Sequence, residues 1–252
     1  MKPEIVTAII SAIVAVISAI ISIYGQTRIA RLADRLAKQR EAESRETQTA
    51  ALMSKYRDPL LRSAIDLQSR LFNIVQAKFL QRFYHHSESE QDYTIKNTLY
   101  VIAEFLAWVE ILRREIQFLD LGDLEMNRRL SELLVNINQA FGTAKLESTF
   151  RLFTGEQRAI GEIMLVPQST DSSIAYECIG YAMFVKKLSD PEFARWFTKL
   201  KDDIAMMANE PKVNKERLIR IHHRLIDLID FLDPNCVRVP PKYRTRINQY
   251  QS

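Results

Sequence analysis

The charged side chains set deepest in an apolar context lie in WVEILRREIQFLD, residues 108–120. On a helix Glu110 reaches Arg113 and Arg114, three and four positions on. With Glu104 these charges could line a pocket for a small anionic ligand or for a reaction on one. The competing reading is an ion-pair network that sets helix register inside a bundle. A second group is His222, His223, Asp227 and Asp230. The last three share a helix face at i, i+4 and i+7, a spacing that suits a metal, an acid–base pair or an ordinary half-buried polar stripe. A third is TGEQRAIGE, residues 154–162, whose first-turn amides could hold a phosphate. Thr154 followed by Gln157 is equally a capping-box pattern. His85 and His86 sit in the polar stretch HHSESEQD, which reads as a solvated loop.

Stronger signatures are missing. There is no P-loop, no HExxH and no CxxC pair. None of the histidines has a glutamate three residues before it, as a ferritin-like dinuclear site requires. Cys178 and Cys236 lie far apart and read as ordinary reduced thiols of a cytosolic compartment. No catalytic residue, cofactor or metal is assigned on these grounds, and the balance leans away from an enzyme.

The elements that must position these residues are helices. The 252-residue chain contains only six glycines, and few breaks favour helices over sheets. Residues 5–24 read IVTAIISAIVAVISAIISIY, without a charge. Twenty residues at about 1.5 Å each span about 30 Å, the thickness of a bilayer core, and Tyr24 stands at the interface position. The run exceeds the h-region of a signal peptide. Arg28, Arg31, Arg35, Lys38 and Arg40 follow it, so the positive-inside rule places the bulk of the chain in the cytoplasm. The same five residues are the expected contacts to anionic lipid.

Within the span, Ala8, Ser11, Ala15, Ser18 and Ser22 repeat at steps of three and four. Small residues in such a seam let membrane helices approach closely. Gly25, Ile29, Leu32 and Leu36 continue the register beyond the span, which points to a self-associating helix, coiled for two or three heptads.

Formal charge divides in the same way. Residues 25–57 carry +4, residues 58–237 carry −4 and residues 238–252 carry +4. Basicity beside the membrane and at the C-terminus, with none on the folded part, argues against a nucleic-acid partner. Four segments result: an anchor (1–24), a basic stalk helix (25–57), a helical domain (58–237) and a basic tail (238–252). Asp58-Pro59 should end the stalk. Expected helices then cover residues 59–84, with Leu60, Ala64, Leu67, Leu71, Ile74 and Val75 buried, and 94–121, apolar nearly all round and central to the core. Others follow at 124–141, from 143 to 153, 155–166, 173–188, 191–208 capped by Asp190, and 214–232. Residues 167–172 read as a loop, and no strand is expected.

Three stretches, YRDPLLRSAIDLQSRLFNIV (56–75), WVEILRREIQFLDLG (108–122) and TGEQRAIGE, resemble a group of membrane-anchored helical proteins of bacteria and photosynthetic organisms. That group has no assigned activity, so the resemblance implies an anchored helical fold and no site residue.

The expected protein is all-α: a transmembrane helix and stalk before a bundle of about seven helices. Its expected role is that of a non-enzymatic scaffold or sensor, homo-oligomeric, that recruits a protein partner at the cytoplasmic face of the membrane. The alternative is a membrane-tethered enzyme, or an effector of a small anionic ligand, with a pocket near Glu104, Glu110 and Arg113.

Overall fold

The computed structural model describes the backbone of residues 3–116, 124–170, 173–210 and 212–248, and their side chains apart from residues 3–21, 42, 45–54, 115–116, 124 and 169–175. The chain divides into two compact units, residues 1–52 and 53–252.

The first unit is helical from Pro3 and belongs to α1 (Pro3–Val75). Its described side chains are almost all exposed. Ile23, Tyr24, Ile29, Leu32 and Leu36 stand 46–71% open. Arg28 lies over the Tyr24 ring at 5.6 Å, and Lys38 pairs with Asp34 at 3.0 Å. Among the described residues no helix is long and apolar enough to cross a membrane. The expected span, up to residue 21, lies outside the described side chains, as do the seam residues Ala8, Ser11, Ala15 and Ser18.

The second unit opens inside α1. The backbone is already helical at Met53 and runs through Pro59 to Val75, so Asp58-Pro59 is not the helix boundary expected from its sequence. Leu60, Leu61, Ala64, Leu67, Leu71 and Ile74 recur at helical spacing and are at most 2% exposed. A short α2 (Phe79–Phe83) follows, then α3 (Glu88–Ile116). Ile102, Ala103, Phe105, Ala107 and Ile111 of α3 are fully buried, so this helix is the centre of the core.

Helix α4 (Leu124–Gly142) packs against α9 (Glu216–Leu232), and α5 (Thr154–Ile163) packs against α3. Gly161 is the reason α5 comes so close. A Cβ there would stand 2.6 Å from the Leu106 carbonyl oxygen and 3.0 Å from Glu110 Cβ. Helices α6 (Tyr181–Lys187), α7 (Pro191–Ala194) and α8 (Thr198–Asn209) complete the set. Asp190 caps α7, accepting from Glu192 N–H at 3.0 Å with Pro191 in the first turn. Asn214 Oδ1 accepts from Glu216 N–H at 2.7 Å at the start of α9.

The expected helix 59–84 breaks between Val75 and Phe79, where Lys78 has φ 53, and the expected helix 191–208 divides into α7, a 3-10 turn and α8. Two further expected helices are replaced altogether or in part. Residues 165–178 form an antiparallel hairpin, β1 (Leu165–Thr170) with β2 (Ser173–Cys178), in the register Leu165↔Cys178 to Thr170↔Ser173. The structure is mostly helical and bears out the expected all-α bundle, with this one hairpin as its only sheet among the described residues. Val166, Ser169 and Thr170 are poor helix formers. Pro167, which lacks a donor, is tolerated because both strands of a two-stranded ribbon are edges. Residues 143–153 form an irregular, well-packed segment instead of a helix. Phe150 there is fully buried with φ 55.

Candidate functional site

Glu110 is 3% exposed and fully committed. Arg113 donates to both of its oxygens, Nε to Oε2 at 2.8 Å and Nη2 to Oε1 at 2.6 Å. Arg114 Nε donates to Oε1 at 2.8 Å, and its Nη2 reaches Glu162 Oε1 on α5 at 2.5 Å. The Arg114 guanidinium also lies 5.2 Å from the Tyr176 ring of β2. Burial pushes the Glu110 carboxyl up, but the bonds from Arg113 and Arg114 outweigh it and hold the group below the usual range. This is a bridge joining α3, α5 and the hairpin.

Glu104 is not part of it. Tyr100 O–H donates to Glu104 Oε1 at 3.2 Å. Burial raises the Glu104 carboxyl, the nearby Asp66 carboxylate adds to the rise, and Tyr100 partly offsets it. The expected grouping of Glu104 with Glu110 and Arg113 is thus split between two environments. The cavity beside Glu110 and Arg113 measures about 70 Å³, far below the roughly 300–1,000 Å³ of small-molecule sites. Burial, with the Glu104 charge added, pushes the Cys178 thiol up to about 12, which makes it a poor nucleophile.

The histidine stripe is also distributed. His222 is fully buried, its Nε2 2.8 Å from the Gln68 side-chain nitrogen. Burial first, then His223 and Arg246, pull its pKa down to about 4. It is therefore a neutral acceptor of the amide N–H. His223 Nε2 meets the Ile247 carbonyl at 2.9 Å, Asp227 takes Arg246 at 2.6 Å, and Asp230 takes Arg244 at 2.9 Å. Among the described residues no three His, Cys, Asp or Glu side chains come together as metal ligands.

The basic tail is engaged too. Asp233, 1% exposed, accepts from the backbone N–H groups of Val237, Arg238 and Val239 at 2.9–3.1 Å and from Arg244 Nη2 at 2.7 Å. Arg238 pairs with Asp58 at 2.8 Å, and Val239 and Ile247 are buried.

A roomier concave region lies elsewhere. A groove of about 770 Å³ is bounded by the C-terminal half of α4, the segment after it, the start of α5 and α9. Its cations are Lys145, Arg158, Arg220 and Arg224. The segment that carries Lys145 is held by one side chain. Arg217, 3% exposed, donates to the carbonyls of Ala140 (2.9 Å), Phe141 (2.7 Å), Thr143 (2.9 Å), Glu147 (2.7 Å) and Thr149 (3.1 Å). Those carbonyls include the last ones of α4, which have no intrahelical partner and carry the negative end of the helix dipole. Asp203 holds the same segment from α8, accepting from Phe150 N–H at 2.8 Å, and Lys199 links it to the Ser148 carbonyl at 2.8 Å.

At the start of α5 the Glu156 carboxylate accepts from Phe153 N–H at 2.7 Å. Gln157, expected to take that capping role, is buried instead and donates to the Leu152 and Asn138 carbonyls at 2.7 and 3.0 Å. Neither Arg217 nor the groove stands out in the sequence. Arg217 lies on the apolar face of α9, four positions before Ile221 and eight before Leu225, and a cation on such a face is the one available signal.

The chain matches no protein-family model, no curated protein and no solved structure with which it was compared.

Proposed function

We propose that this is a membrane-anchored, non-enzymatic interaction protein that self-associates through its anchor and stalk and recruits a protein partner at the cytoplasmic face. The observation that carries the reading is the apolar line on the stalk. Ile29, Leu32 and Leu36 are 71%, 59% and 46% exposed and fall in the same heptad register as Ala8, Ser11, Ala15, Ser18 and Ser22. Apolar a/d positions on a helix are ordinarily covered by a second helix, and a second copy presents the same line in the same register. The exposed Arg28, Arg31, Arg35, Lys38 and Arg40 suit anionic headgroups beside the span. The resemblance to membrane-anchored helical proteins agrees with this reading and adds no residue role. The alternative, an enzyme or anionic-ligand effector working at Glu104, Glu110 and Arg113, is weaker. Its central carboxylate is neutralised by two arginines and its cavity is too small.

The seam provides the test. In lipid there is little hydrophobic drive between helices, so close backbone approach must supply the attraction. Ala15→Leu with Ser18→Leu should weaken anchor association in a membrane reporter assay, whereas leucine at Val14 and Ile17 should leave it near the parent level. Equal signals from both pairs, or a monomeric full-length chain in mild detergent, would remove the basis for self-association.

A further inference from the structure

We propose that the groove beside the start of α5 binds a small ligand bearing several phosphate charges. Lys145 from the irregular segment, Arg158 from α5, and Arg220 and Arg224 from α9 all line this one cavity of about 770 Å³, and no carboxylate is among its lining residues. That volume lies within the range of sites for small molecules. Like charges gathered in a concavity repel one another and raise the local concentration of anions. A bound anion relieves the repulsion.

The cations are available. Lys145 and Arg158 are exposed and have no ion-pair partner among the described residues. Arg220 and Arg224 pair with Glu216 at 3.0 Å and Asp227 at 3.2 Å, and Asp227 is shared with Arg246. These are exposed pairs, of small net worth. A guanidinium gives them up readily for a phosphate, whose oxygens it can grip two at a time. Thr154, the first residue of the ten-residue helix α5, lies on the same wall as Arg158. Glu156, the acidic residue in the first turn of α5, has its carboxylate turned onto the Phe153 N–H. A concave groove bounded by α4, α5 and α9, rather than a basic stripe along a surface, suits a compact ligand better than a nucleic acid. The same phosphate chemistry is offered by a soluble phosphorylated molecule and by a phosphorylated lipid headgroup.

The experiment uses the full-length chain in nanodiscs. Inositol trisphosphate is titrated calorimetrically against protein in phosphatidylcholine discs. Separately, binding of discs containing phosphatidylinositol bisphosphate is compared with that of phosphatidylcholine discs. Saturable binding of the soluble probe assigns a free ligand, and binding confined to the phosphoinositide discs assigns a headgroup. In either case Lys145→Glu with Arg158→Glu should weaken binding by about tenfold or more. Lys186→Glu with Lys212→Glu, the same change in charge at exposed positions away from the groove, should leave it within about twofold. Lys145 and Arg158 are exposed, so the fold should survive, as circular dichroism will show. If it does not, Arg220→Gln with Arg224→Gln makes the same comparison. Equal weakening by the groove and control pairs, or no binding of either probe, overturns the proposal.

Discussion

Arg217 shows how much a single side chain organises here. An arginine presents several N–H donors in a rigid fork, and this one is surrounded by main-chain carbonyls from Ala140 to Thr149. Burial pulls its pKa down, with Arg151 and Arg220 adding to the effect. The ion is retained because the carbonyl cage replaces its water. Methionine at this position would fill the space and leave the carbonyls buried without donors. Lysine would keep the charge but offers only three donors on a flexible stem. Arg217→Met is expected to cost about 3–5 kcal/mol, read as a lowered urea midpoint by fluorescence of Trp108 and Trp196, and Arg217→Lys should recover only part of it. A midpoint within about 0.5 kcal/mol of the parent for Arg217→Met would mean that the cage contributes little.

At the scale of elements, the decisive contact is the close approach of α5 to α3. It is permitted by Gly161 and secured by the Arg114–Glu162 bridge. A methyl at Gly161 would press on the Leu106 carbonyl, which is backbone inside the central helix and has no rotamer to yield. Gly161→Ala should therefore push α5 outward and destabilise by about 1–3 kcal/mol, as overpacking does. An unchanged urea midpoint would show that α5 shifts without cost. The ordinary gain in helix propensity on replacing glycine by alanine, about 1 kcal/mol, works in the opposite direction, so a net loss is informative. The hairpin is fixed by the same neighbourhood. Ile179 N–H donates to the Met164 carbonyl at 2.9 Å, closing the base of the ribbon where α5 ends.

For the whole molecule, the buried His222 couples stability to pH. Its folded pKa is about 4, against an unfolded value near 6.5. Above roughly pH 6.5 neither state carries the proton and the histidine is indifferent to pH. As pH falls through that value the unfolded chain takes up a proton that the folded one refuses. Stability then drops by up to about 1.4 kcal/mol per pH unit, to a total of about 3 kcal/mol near pH 4. Asp66 and Glu104 act with the opposite sign. Burial is the first cause of both raised values, so they favour the fold as pH falls. Asp233 has a lowered pKa, because its backbone and Arg244 bonds outweigh burial, and its contribution is lost only in more acidic solution. The histidine is isolated by difference. Between pH 7.5 and 4.5 the parent should lose more stability than His222→Gln, and parallel pH profiles for the two would contradict the assignment.

What this chain's sequence determined by itself is its local, periodic structure. The buried stripe from Leu60 to Val75, the apolar centre of α3, the Asp190 cap and the end of α9 at Asp233 each follow from spacing or cap chemistry within a few residues, and the structure has them. The charge division and the line through Ile29, Leu32 and Leu36 are likewise written in order along the chain. What only tertiary structure decided depends on residues far apart. Whether residues 165–178 pair as strands rests on packing against α3, which overrides a weak local preference. Glu110 became a structural bridge because Gly161 lets α5 bring Glu162 to Arg114. The groove needs Lys145, Arg158, Arg220 and Arg224 from three separate segments, with the first of those segments folded by Arg217 nearly seventy positions later in the chain. Periodicity reports which face of an element is apolar. It is silent on which cations from different elements converge, because that depends on the distances and crossing geometry set by the packed core.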